Sequence, residues 1–174
     1  MPEPGPSPVL SRLARLRVPL GFVFAAVGVW LAQPTFRSVA LGGAIALAGE
    51  GLRIWAAGHL EKGREVTASG PYAFTRHPLY AGSTLIGAGL AVAGASLALA
   101  VLIAVYLLLT LTAAIRTEEA HLTRKFGDQY PAYRDGRLSV HRRFSLARAM
   151  GNREYRALIG LAVGFGLLAV KAWW

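Results

Sequence analysis

The sequence predicts an all-α, polytopic membrane helical bundle of about five transmembrane helices, on three observations. Of its 174 residues, 54% are hydrophobic and 16% are charged, against about 25% charged in an ordinary soluble domain. The charges avoid long stretches: Val18–Phe36, Ala157–Val170 and the 37 residues from Leu79 to Ile115 carry none. Sixteen of the 19 Lys and Arg fall in alternate segments between those stretches, on one side of such a bundle. The absence of Cys excludes disulfide scaffolds, thiolate zinc sites and cysteine nucleophiles. A net charge of +10 would suit a nucleic-acid binder. The one-sided distribution instead marks it as a topology signal, with no nucleic acid as partner.

The elements follow in order. Residues 1–10, rich in proline from Pro2 to Pro8, read as a disordered cap. A first span over 18–35 reads as a retained anchor, because no small-x-small cleavage site precedes Pro34. The second, 38–58, is broken only by Glu50 and Arg53, three apart on one helical face and able to pair inside the bundle. The 37-residue run is too long for one crossing at ~1.5 Å per residue. Gly94-Ala95-Ser96 divides it into 78–94 and 97–115, a tight helical hairpin. The fifth span is 157–173, ending on the interfacial Trp173 and Trp174. Gly87-x-Gly89 reads as close helix packing, and Gly160-x-x-x-Gly164 as a packing face within the bundle or between the copies of a homodimer.

With the basic segments inside, the N-terminus is cytoplasmic and the C-terminus external. The connections left outside, around Gln33–Arg37 and Gly94–Ser96, are minimal, whereas 58–77 and 116–156 are long and cytoplasmic. The polar chemistry therefore concentrates on that face. The hairpin brings Arg76-His77-Pro78-Leu79-Tyr80 beside Arg116-Thr117-Glu118-Glu119. Pro78 suits the first helical position, where its missing N–H costs nothing. The helix start presents unpaired N–H groups and a positive dipole end, while Glu118 and Glu119 offer negative charge to an ammonium or to ribose hydroxyls. A zwitterionic ligand meets both. Leu122, Phe126, Tyr130 and Tyr133 then recur at spacings of four, four and three, interrupted by Gly127 and Pro131. That face suits a helix on the membrane surface, or a lid over the mouth of a pocket. His59, His121 and His141 are too scattered for a metal site.

Gly70-Pro71-Tyr72, Arg76-His77-Pro78-Leu79-Tyr80-Ala81-Gly82, and Glu118-Glu119 followed by Leu122 and Phe126-Gly127-x-x-Tyr130-x-x-Tyr133 together resemble the isoprenylcysteine carboxyl methyltransferase family. More broadly they resemble the integral-membrane methyltransferases that include phospholipid N-methyltransferases. The resemblance implies one methyltransferase domain over 1–174 with its core at 58–137; the length and style of the chain suggest a bacterial inner membrane. It implies S-adenosylmethionine as cofactor, bound at the cytoplasmic face without a metal. The methyl acceptor is then a membrane lipid or another amphipathic small molecule.

Carried over by position, Tyr72, His77, Pro78, Leu79, Tyr80, Glu118 and Glu119 match cofactor-binding positions, and Arg64, Glu65, Val66 and Thr67 match a less distinctive stretch of the same kind. Glu118 matches an acidic residue near the transfer centre, with Arg116 beside it as the second candidate catalytic residue. One departure concerns the acceptor. Where prenylcysteine-methylating members carry an Arg one turn before the acidic pair, this chain has Ala114, and Arg116 is the nearest basic residue. An aminophospholipid N-methyltransferase is the alternative reading. A non-catalytic lipid-binding protein is the alternative of another class.

Overall fold

The computed structural model describes residues 23–138 and 141–174. The proline-rich cap, Arg12, Arg15, Arg17 and the first residues of the 18–35 span lie outside the described residues. The rest of that span is helical over 23–31 (α1) and stops before Pro34. There follow α2 (Phe36–His59), a 3₁₀ turn (Gly70–Ala73), α3 (Pro78–Gly94), α4 (Leu97–Phe126), α5 (Gln129–Arg134), α6 (Leu146–Gly151) and α7 (Tyr155–Trp173). No strand occurs among the described residues.

The chain is an all-helical membrane bundle. α2, α4 and α7 are long and apolar enough to cross a bilayer, and the 17-residue α3 is apolar but shorter. Large apolar side chains remain exposed along these helices, among them Leu41, Leu47, Leu108, Leu109, Val163 and Val170. In water such a belt would be a liability; against lipid it is the outer surface.

Small residues set the closest packing. On antiparallel α2 and α3, Gly42 and Gly49 face Gly89 and Gly82, each pair seven residues apart on its helix. A Cβ on Gly49 would meet the Gly82 carbonyl at 2.7 Å, and one on Gly89 would meet Ala46 N at 2.7 Å. Backbone contact of this kind needs glycine and takes the place of the hydrophobic drive that lipid removes. Gly87 lies on another face of α3, against Ile103 and Leu107 of α4. Gly87-x-Gly89 is thus a packing element on both sides. On α7, Gly164 has the Leu90 side chain at 3.9 Å, but Gly160 has nothing within 4 Å and is exposed.

The two ends of the bundle differ. At one, α3 closes on left-handed Ala95 (φ 46°), and Ser96 Oγ accepts from Leu99 N at 3.4 Å to start α4. Gln33 N donates to the Gly94 carbonyl at 2.7 Å, and Ser38 Oγ to the Ala93 carbonyl at 2.9 Å. Lys171 Nζ donates to the last carbonyls of α1, Val29 O at 2.7 Å and Trp30 O at 3.0 Å. The lysine that interrupts the fifth predicted span is therefore a helix cap.

At the other end lie the 60–77 connection, the end of α4, α5 and α6. Here the sequence expectation is corrected: α4 runs to Phe126 rather than stopping at 115. Residues 116–125 hold good helix formers and no breaker until Gly127 (φ 50°), so the helix continues as a charged extension beyond its apolar part.

Candidate active site

Pro78 occupies the first turn of α3 after His77, whose carbonyl accepts from Tyr80 N and Ala81 N. The extension of α4 stands alongside. His77 Nε2 lies 3.1 Å from Glu119 Oε1, and Arg76 Nη1 lies 3.6 Å from the same oxygen. The His77 hydrogen bond, with the charge of Arg76 behind it, holds the Glu119 carboxyl below the usual carboxylate range. Glu119 is thus engaged in fastening α4 to the start of α3. The His77 ring also stacks on Tyr80, with centroids 5.6 Å apart.

Glu118, one residue earlier, is differently placed. Its charge is felt by the phenols of Tyr72, Tyr80, Tyr130 and Tyr133. Burial first, then neighbouring negative charge, pushes the Tyr130 and Tyr133 phenols up to about 12. Burial and Glu118 push Tyr72 up as well. These hydroxyls stay protonated at neutral pH. The Tyr133 hydroxyl donates to the Tyr72 carbonyl at 2.8 Å, which closes α5 over the 3₁₀ turn. Tyr130 is 4% exposed. The aromatic face predicted for 122–133 is therefore folded inward at its end, in two helices separated by Gly127.

Tyr72 and Tyr133 also wall a cleft of about 710 Å³, reaching from Ala68–Phe74 to Gly136 and His141–Arg143. Small-molecule sites typically span roughly 300–1,000 Å³. Ser69 lines it with a buried hydroxyl that has no hydrogen-bond partner among the described residues. A second, apolar groove of about 440 Å³ runs between α3 and α4, from Thr84 past Gly87 and Leu107 to Ile115. It opens one helical turn from Tyr80.

The candidate residues thus divide into two sets. Tyr72, His77, Pro78, Leu79, Tyr80, Glu118 and Glu119 come together at the mouth. The 64–67 stretch does not join them as side chains: the Arg64 side chain is 85% exposed, and Arg142 holds Glu65 through Nη2 at 2.7 Å. Val66 and Thr67 are buried, with Thr67 Oγ1 accepting from Glu61 N at 3.3 Å. That stretch is held as a strut by a charge network in which Arg148 Nε reaches Glu61 Oε1 at 2.9 Å. Arg116 is exposed and has no partner among the described residues.

Sequence reasoning missed Glu154. It is 7% exposed and lies 2.8 Å from Arg53 Nη2, whereas the expected Glu50–Arg53 contact is longer, at 3.8 Å. A usable signal existed, because Glu154 is the single acid after Asp135 and stands at the entrance of an apolar helix. Among the described residues no group of His, Cys, Asp or Glu could hold a metal ion.

The described residues thus form a helical membrane bundle with carboxylates and tyrosines gathered at one end. The chain belongs to the phospholipid methyltransferase family, whose match covers residues 16–129. Two relatives carry names of a different kind. It is 32% identical over 125 residues to the cobalt-zinc-cadmium resistance protein CzcN of Cupriavidus metallidurans, covering 66% of this chain and 56% of that protein. It is 30% identical over 136 residues to the nickel-cobalt-cadmium resistance protein NccN of Alcaligenes xylosoxydans xylosoxydans, covering 70% and 62%. The chain thus spans less than two thirds of the length of either relative. No solved structure matches it.

Proposed function

We propose that this protein transfers a methyl group from S-adenosylmethionine to a membrane lipid or another amphipathic acceptor. The observation that carries the reading is the position of Glu118, a carboxylate beside the Tyr80 hydroxyl and near a cleft, walled by Tyr72 and Tyr133, that is large enough for a nucleoside. Such a donor set suits the cofactor: carboxylate and aromatic faces attract a sulfonium or ammonium, and the partnerless Ser69 hydroxyl is a ready contact for a polar group in the cleft. S-adenosylmethionine supplies a methyl group already activated on a cationic sulfur.

The chain's own task is then to bind, orient and exclude water. Tyr72, Tyr80, Tyr130 and Tyr133 keep the surroundings of Glu118 apolar and protonated. Glu119 and His77 hold the two helices in register. The α3–α4 groove offers a lipid-side route for an apolar tail, while the cleft faces the polar end. That end is cytoplasmic on the distribution of basic residues, in what we take to be a bacterial inner membrane. Cofactor and acceptor thus approach one centre from different phases.

An amine acceptor is the second reading, as in phospholipid N-methylation. Ala114 stands where an Arg would hold a substrate carboxylate, and Glu118 offers a carboxylate at the mouth, which favours a cationic headgroup over an anionic one.

Calorimetric titration of the detergent-solubilised protein with S-adenosylhomocysteine tests the cofactor. Wild type should bind and Glu118→Ala should bind more weakly. No heat from wild type at high micromolar ligand would remove both methyltransferase readings. Radiolabel transfer into extracted lipid, followed by base treatment, then separates an ester product, which is labile, from an N-methyl product, which is not.

A further inference from the structure

Beneath the mouth lies a polar cluster that the proposed reaction does not use. Arg53, in the last third of α2, sends Nη2 to Glu154 Oε2 at 2.8 Å and Nη1 to the Ser83 hydroxyl and the Leu79 carbonyl. Ser83 Oγ itself donates to the Leu79 carbonyl at 2.9 Å. Glu50 flanks the guanidinium on the other side, 98% buried by its 2% exposure, with neither carboxylate oxygen hydrogen-bonded among the described residues. The arginine reaches α3 across Gly82, where a Cβ would meet its Cγ at 2.6 Å.

Three ionisable groups in a membrane bundle are costly to bury, and a lone arginine there would be costlier still. Such a cluster is retained where it fixes an arrangement that packing alone would leave loose. What it fixes is specific. Leu79 and Ser83 belong to the first turns of α3, the same turns that carry Tyr80. Glu154 is the residue immediately before α7. Arg53 therefore pins the start of α7 and the start of α3 to one point on α2. The Leu79 carbonyl that Arg53 reaches belongs to the residue before Tyr80, a neighbour of Glu118 at the mouth.

We infer that Arg53 is a positioning residue for the cofactor mouth, acting through Glu154 and Ser83 to set where the first turn of α3 presents Tyr80 to Glu118. The inference rests on the methyltransferase reading.

The test measures two quantities on the detergent-solubilised full chain: the unfolding midpoint without ligand, and the Kd for S-adenosylhomocysteine. Glu154→Gln removes the charge and keeps the shape; Glu154→Asp keeps the charge; Ser83→Ala removes one anchor and leaves the ion pair. Glu154→Gln and Ser83→Ala should weaken binding about tenfold or more, with Glu154→Asp recovering most of the loss. Ser83→Ala should do so at an unchanged unfolding midpoint, a split that a merely structural role would not produce. Wild-type binding together with an unaltered Kd in folded Glu154→Gln overturns the inference alone. If Glu154→Gln does not fold, an unaltered Kd in Ser83→Ala overturns it instead. Absence of wild-type binding removes the methyltransferase reading, and this inference with it.

Discussion

The Tyr133 hydroxyl donates a 2.8 Å hydrogen bond to the Tyr72 carbonyl across 61 residues of sequence. That bond closes the short helix α5 onto the 3₁₀ turn and makes one wall common to the Glu118 cluster and the cleft. Tyr133→Phe keeps the ring and removes the donor. It should lower stability by about 1 kcal/mol and weaken S-adenosylhomocysteine binding severalfold, chiefly through faster dissociation as α5 loosens. Stopped-flow release of the bound ligand measures this. An unchanged off-rate would show that α5 is not a lid.

The same tyrosines can be followed by their ionisation. Tyr130 and Tyr133, pushed up to about 12, bind protons more tightly in the folded protein than in the unfolded chain. Their contribution is complete below the ordinary phenol value of 10.0 and is lost as pH rises from there towards about 12. Absorbance near the tyrosinate band should show a late-titrating class that Tyr133→Phe makes smaller.

The clamp between α3 and α4 should fail on the acid side. Glu119 is held below its ordinary value of 4.5 by His77 and Arg76, so its contribution is present above that value and is lost as pH falls through the lowered one. Unfolding midpoints measured from pH 7 to pH 3 should drop less in Glu119→Gln than in wild type. Parallel curves for the two proteins would mean that the contact carries no net stability.

Gly89→Val tests the helix seam. A side chain there meets backbone atoms of α2, not the flexible end of a side chain. Overpacking typically costs about 1–3 kcal/mol. The variant should give less monodisperse protein in detergent and a lower unfolding temperature, whereas Gly160→Val on open α7 should behave like wild type. Equal loss from both would instead point to a shared interface on α7, such as a dimer contact.

Lys171→Met removes the cap on α1. Loss of two charged hydrogen bonds should lower stability by roughly 1.5–3 kcal/mol, with Kd for S-adenosylhomocysteine unchanged because the lysine lies at the far end of the bundle from Glu118. A proteolysis time course on the N-terminal segment and a calorimetric titration measure the two effects separately.

Much of this architecture was legible in the chain itself. Charge avoidance over 79–115, the breaker triplet Gly94-Ala95-Ser96 and Pro78 at a helix start are local signals, each acting within a turn or two of its own position. They placed α3 at Pro78–Gly94 and put His77, Tyr80, Glu118 and Glu119 at one end of one hairpin. Less legible was the end of α4, because an amphipathic extension past the membrane shows no apolar run to count, and only Gly127 stops it.

What the sequence determined by itself, then, is which segments leave water and that His77, Tyr80, Glu118 and Glu119 gather at one end of the α3–α4 hairpin. Lipid penalises charge strongly enough for composition alone to record it. The tertiary structure decided the pairings: Arg53 with Glu154 across 101 residues, Arg142 with Glu65 across 77, Tyr133 with Tyr72 across 61. Sequence offered Arg53 its neighbour Glu50, three residues away on the same helix. A guanidinium, however, takes the carboxylate that meets it with the better geometry and the more complete set of hydrogen bonds. That choice depends on how α2, α3 and α7 pack against one another, which no local pattern encodes.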